Sequence, residues 1–69
     1  MDMQLGEVYR NERAGFDVRV MEEPRLSRSY FRFRVEQRFS PSMGWEVVGR
    51  SIAFSGAAAR VEELLTRQR

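Results

Sequence analysis

The chain has 69 residues, 42% of them hydrophobic, with 12 basic and 10 acidic side chains, a net charge of +2, no cysteine and no histidine. A single domain this small buries a modest fraction of its surface, and it must hold together without disulfides or a histidine- or cysteine-based zinc site. The same absences remove the commonest general base and the best nucleophile. Every basic residue is Arg, so lysine chemistry is missing too.

Leu5 to Arg10 carries Leu5, Val8 and Tyr9 and reads as a first strand, with a break over Asn11–Gly15. Phe16-Asp17-Val18-Arg19-Val20 alternates apolar and polar, so the two segments suggest a hairpin. Glu22–Arg28 is a polar connection, in which Pro24 biases Glu23 to an extended shape. The next strand, Tyr30 to Phe39, is the clearest element. Phe31, Phe33, Val35 and Phe39 fall on one side, and Tyr30, Arg32, Arg34, Glu36 and Arg38 on the other. After the Ser40–Gly44 loop, Trp45–Phe54 reads as a fourth strand. A bulge at Gly49-Arg50 would place Trp45, Val47, Ile52 and Phe54 on one face. The alternative is a strand apolar on both faces, as in a dimer contact.

Ser55 is placed to cap a helix beginning at Gly56. Ala57, Ala58, Val61, Leu64 and Leu65 line one side of it, and Glu63 and Arg67 are spaced for an i,i+4 pair. Its apolar stripe requires a partner surface, and the Phe-bearing side of the sheet supplies one. The expected fold is α+β, a four-stranded antiparallel meander with one C-terminal helix packed on one face (ββββα), forming a single domain over residues 1–69.

No apolar run approaches the roughly 18 residues needed to span a bilayer, and Met1–Leu5 lacks the pattern of a secretory leader. A cytoplasmic protein without membrane association is expected. The adjacent pairs Glu22-Glu23 and Glu62-Glu63 diverge in a strand or helix, and the five glycines are isolated, so neither an acid/base dyad nor a phosphate loop emerges. The chain reads as non-catalytic, with no cofactor and no metal site.

Charge is unevenly distributed. Residues 1–24 hold three Arg against six acidic residues, and residues 25–69 hold nine Arg against four. The candidate binding residues lie on the outward side of the third strand: Arg32, Arg34 and Arg38, then Tyr30, Arg28 from the connection and Arg19 from the second strand. Guanidinium groups fork onto carboxylates or phosphates and stack on aromatic rings. Three readings follow. One is a solvated outer face with Arg–acid pairs to Asp17, Glu36 and Glu46. Another is direct DNA or RNA binding by the basic face. The third is a protein ligand or inhibitor that meets a partner with an acidic or nucleic-acid-binding surface. A structural module that dimerises through strand four or the edge of the first strand is a further alternative.

The segment Gly44-Trp45-Glu46-Val47-Val48-Gly49-Arg50, followed by Phe54-Ser55-Gly56-Ala57-Ala58-Ala59, resembles in layout some very short phage-encoded proteins, among them anti-CRISPR inhibitors. The resemblance covers about a third of the chain and carries no defining motif. It implies a non-catalytic inhibitor that binds a bacterial immune effector and blocks nucleic-acid access. It assigns no site residue.

Overall fold

Residues 3–24 and 30–67 are described by a computed structural model. Four strands, β1 (Tyr9–Asn11), β2 (Phe16–Glu22), β3 (Phe33–Arg38) and β4 (Glu46–Ser51), precede one helix, α1 (Phe54–Thr66). The strands form one antiparallel sheet in the order β1-β2-β3-β4, so each pairs with its neighbour in sequence. The helix packs across one side of the sheet, and the expected ββββα meander is the observed fold.

Strand alternation fixes the two faces. Phe16, Val18 and Val20 of β2 and Val35 of β3 are buried with Ala57, Val61 and Leu64 of α1. The core is therefore mainly valine, set between one helix and two central strands. Phe33, Phe54 and Phe39 border it: Phe33 lies against Phe54 with ring centroids 5.7 Å apart and planes tilted by 60°, and Phe39 packs edge-to-face with the buried Phe16 at 6.2 Å. Phe31 and Phe39, expected inside, are 40% and 54% exposed. Both lie just outside the paired span of β3.

The first strand is shorter than its pattern suggests. Gly6, at φ +81°, turns the chain, and its N–H bonds to the Val20 carbonyl at 2.8 Å before pairing begins at Tyr9. β1 ends at the buried Asn11, whose side chain holds the far end of the helix. Asn11 Nδ2 donates to the carbonyls of Leu64 (2.8 Å) and Arg67 (3.0 Å), and its Oδ1 accepts from the Ala14 N–H (3.0 Å). One amide closes a turn and bonds two carbonyls at the helix end, one of which, that of Leu64, also accepts from the Arg67 N–H at 3.3 Å.

The bulge lies one position earlier than expected. Val35 pairs with Gly49 and Glu36 with Val47, so Val48 is the extra residue. Val48 packs on the core, while Trp45 meets Arg19 and Arg38 on the side away from the helix. Val47, the register partner of Glu36, shares that side. Neither Trp45 nor Val47 shares a face with Phe54, contrary to the sequence expectation. Ile52 is half exposed in the turn before the helix, and Phe54 is the first helical residue. A bulge in an edge strand twists the exposed ladder away from a flat pairing surface.

The helix starts two residues before Gly56 and takes no side-chain cap from Ser55; its N-cap is Ala53. Ser51 organises the junction instead. Its Oγ donates to the Ala53 carbonyl at 2.7 Å and accepts from the Ala53 N–H at 3.3 Å. Gly56 lies against this hydroxyl, and a Cβ there would collide with Ser51 Oγ. Gly56→Ala is therefore expected to lower stability by about 1 kcal/mol, because displacing Ser51 outweighs alanine's better helix propensity. In a Ser51→Ala background the same substitution should become neutral or stabilising, as read by urea denaturation of the four proteins.

Candidate functional site

The sheet face opposite α1 carries three rows of side chains. Register places Arg10, Asp17 and Arg38 in one row, Arg19, Glu36 and Val47 in the next, and Met21, Arg34 and Arg50 in the third. Trp45, just before β4, lies beside the first two rows. Strand period two brings the β2 and β3 residues together, since each is an odd step from the valines that face the helix, and the bulge at Val48 returns Arg50 to the same side.

The guanidiniums are not free-standing. Arg38 donates through Nε to Asp17 Oδ2 at 3.0 Å, and Arg10 donates through Nη1 to Asp17 Oδ1 at 2.9 Å. Arg19 donates through Nε to Glu36 Oε1 at 2.8 Å, and Arg34 Nε lies 3.2 Å from Glu36 Oε2. That last approach is an ion pair without hydrogen-bond geometry, and Arg34 Nε is a buried donor with no hydrogen-bond partner. The reason is positional. Arg34 and Glu36 stand two residues apart on one strand, so their side chains run side by side rather than head to head. At the sheet's end Arg50 donates through Nε to Glu23 Oε1 at 3.1 Å.

Asp17 and Glu36 are both 5% exposed, covered by the cations they hold. The hydrogen bonds from Arg38 and then Arg10 hold the Asp17 carboxyl below its ordinary value of 3.8, and burial, which alone would raise it, is the smaller influence. The Cζ atoms of Arg19 and Arg38 lie 4.1 and 4.4 Å from the Trp45 ring centroid, within cation–π range. Four guanidiniums, two carboxylates and an indole thus form one connected layer carrying a net charge of +2.

The arrangement leaves donors unused. Arg19, Arg38 and Arg50 each bond through Nε, the donor nearest the stem, and the described residues offer no hydrogen-bond partner to their terminal Nη groups. An Arg held this way keeps its fork of Nη donors for an external oxyanion while its stem is already ordered.

The structure gathers Arg19, Arg34 and Arg38 of the expected set on one face. Arg32 is exposed just before β3, with its backbone bonded to Glu23 and Ser51 on either side. Tyr30 stands apart from the network, 78% exposed and edge-on to Phe31 at 6.0 Å. Arg28 lies outside the described residues. Expected pairs to Asp17 and Glu36 are present, whereas Glu46 forms no ion pair among the described residues and follows the opposite register. Sequence reasoning missed Arg10, Trp45 and Arg50. For Trp45 and Arg50 the only available signal was the bulge position, because a one-residue shift exchanges the faces of β4. Among the described residues, no group of three or more acidic side chains converges as a metal site would require, and no helix is long and apolar enough to cross a membrane.

Comparisons with known family models, with curated proteins and with solved structures find no match to this chain.

Proposed function

We propose that this chain is a non-catalytic binding protein whose open sheet face docks on an acidic patch of a protein partner. The observation that carries the reading is the pre-ordered guanidinium layer: Asp17 and Glu36 fix four Arg stems, and the Nη forks of Arg19 and Arg38 remain unused. Fixed side chains forfeit little conformational freedom on binding, and Arg and Trp are the residues that dominate interface energetics.

Two features favour a protein over nucleic acid as the partner. The two buried carboxylates halve the positive charge of the layer, which weakens attraction to a polyphosphate chain more than to a few discrete carboxylates. The Trp45 ring already carries two guanidiniums, which compete with any base for its surface.

The sign of the charge narrows the target. An effector that handles nucleic acid presents basic grooves to its substrate, and a positive face is repelled there. In the inhibitor reading, in which a phage or mobile element uses this chain against a bacterial CRISPR or other nucleic-acid-handling effector, the contact therefore falls on an acidic surface of that effector. Loss of nucleic-acid access then follows from bulk or from locking a conformation.

The test is capture from bacterial lysate with quantitative mass spectrometry, comparing the wild type with an Arg32→Glu/Arg34→Glu double variant whose fold is verified by circular dichroism. Neither Arg donates a side-chain hydrogen bond among the described residues, and the carboxylate that replaces Arg34 beside Glu36 has Arg50 as its register partner, so the fold is expected to persist at reduced stability. The partner should bind the variant at least ~30-fold more weakly. Unchanged capture by the folded variant would sink the proposal. Tight binding of oligonucleotide alone, falling steeply with salt, would replace it with direct nucleic-acid recognition.

A further inference from the structure

Arg34 and Arg50 are direct register partners on β3 and β4, on the open face. Like charges placed opposite each other across a sheet are destabilising. Neither is neutralised by the other's carboxylate: Arg50 is held by Glu23, which follows β2, and Arg34 shares Glu36 with Arg19. Arg34 is the least satisfied cation of the layer. Its buried Nε makes no hydrogen bond, and no Nη bond is formed to any described residue. Arg50 uses only Nε. Arg32, of the same strand parity as Arg34, adds a third guanidinium from a backbone tied to Ser51, the residue after Arg50.

We infer that Arg34 and Arg50 form an oxyanion site, in which one phosphate or carboxylate group bridges the two guanidiniums through their Nη donors. Two register-paired guanidiniums with four unused Nη groups supply the donors that one bridging anion requires, and the anion removes the repulsion between them. Glu23 is the internal competitor, since its carboxylate already offsets the charge of Arg50 through Nε. The inference goes beyond the protein-partner reading: it concerns a single anionic group and holds whether or not a macromolecule covers the rest of the face.

The site is tested by side-chain Nε–H resonances in nitrogen–proton correlation spectra, titrated with inorganic phosphate against chloride at constant ionic strength. A second arm uses a hexaglutamate peptide. Saturable shifts are expected at Arg34 and Arg50, with Arg60 on the helix and Arg67 at its end unaffected. Arg50→Gln should weaken the response about tenfold, the loss of one charge-assisted donor pair. Glu23→Gln should strengthen it several-fold, an effect that a purely structural Arg50–Glu23 pair would not produce. Saturation by both ligands supports a site that accepts a partner's carboxylate; saturation by phosphate alone supports one that takes phosphate. Shifts that grow linearly without saturating, that spread equally to the helix arginines, or that ignore both substitutions would overturn the inference. The lysate comparison reads a different quantity, so either result stands without the other.

Discussion

Replacing Asn11 with alanine is expected to destabilise the protein by about 3 kcal/mol, the largest loss from any single polar side chain here. The amide sits where β1 ends and the last turn of α1 comes down on the sheet. It answers three backbone groups at once: the Leu64 and Arg67 carbonyls and the Ala14 N–H. Alanine removes a partner from all three, leaves the Leu64 carbonyl only its 3.3 Å bond from the Arg67 N–H, and opens space at a residue that is only 4% exposed. In a domain this small, each kcal/mol moves the melting temperature by roughly 4–8 °C, so a fall of about 12 °C or more should appear in thermal unfolding. Asn11→Asp separates the two halves of the role. It retains the acceptor for Ala14 but sets a carboxylate against two carbonyl oxygens, so at neutral pH it should be at least as damaging as alanine, and it should recover partly on acidification as the carboxyl gains a proton. A melting temperature within 3 °C of wild type for Asn11→Ala would show that the helix end is held by apolar packing alone.

Asn11 also marks where sequence reasoning stops. The alternation of Phe16–Val20 and of Tyr30–Phe39, and the 3–4 spacing from Ala57 to Leu65, were sufficient for the meander and its covering helix. Those signals are local, because burial of one face imposes its period on each segment. The sequence marks Asn11 only as a turn residue. Its two partners lie 53 and 56 positions away, and nothing in the neighbouring residues encodes that contact. The open face shows the same limit. Arg19, Arg34 and Arg38 share a side by parity, and parity is legible. Whether they stand free or are tied down depends on cross-strand register, which pairs Arg19 with Glu36 and Arg38 with Asp17. A slip of one residue would have separated them. The fourth strand departs from its expected facing for a related reason. Its apolar residues run Trp45, Val47, Val48, Ile52, Phe54, and period two fits either face until the bulged residue is known. Gly49 suggested the wrong position because glycine is a frequent bulge residue, whereas here it pairs with Val35 beneath the stem of Arg60.

Removal of the Asp17 carboxylate is expected to cost about 2 kcal/mol at neutral pH, and the cost should vanish in acid. Asp17→Asn keeps the size and one acceptor but leaves Arg10 and Arg38 facing each other across an uncharged group. Stripping one partner from a fully buried pair costs more than this. Arg10 is 42% exposed on its side chain, however, and solvent screens part of the loss. The pH dependence has a fixed sign. The Asp17 carboxyl is held below its usual range by the guanidiniums of Arg38 and Arg10, so the unfolded chain binds its proton at a higher pH than the folded chain does. Its contribution to stability is therefore complete above about pH 5 and is lost as pH falls below about 4, through the folded-state value. Urea denaturation of wild type and Asp17→Asn at a series of pH values should show a constant gap from pH 5 to 8 that closes on further acidification, because wild type declines more steeply than the variant in the acid region. A gap that persists undiminished at pH 2.5 would mean that asparagine fails for reasons of shape or hydrogen bonding, and that charge is not what holds the first row of the open face. The same variant probes function. With Asp17 neutral, Arg38 gains positive potential and loses its anchor. If pre-ordering governs recognition, a folded Asp17→Asn protein should bind the proposed acidic partner more weakly despite carrying one more net positive charge; tighter binding would mean that net charge governs recognition and that the ordering of the guanidiniums does not.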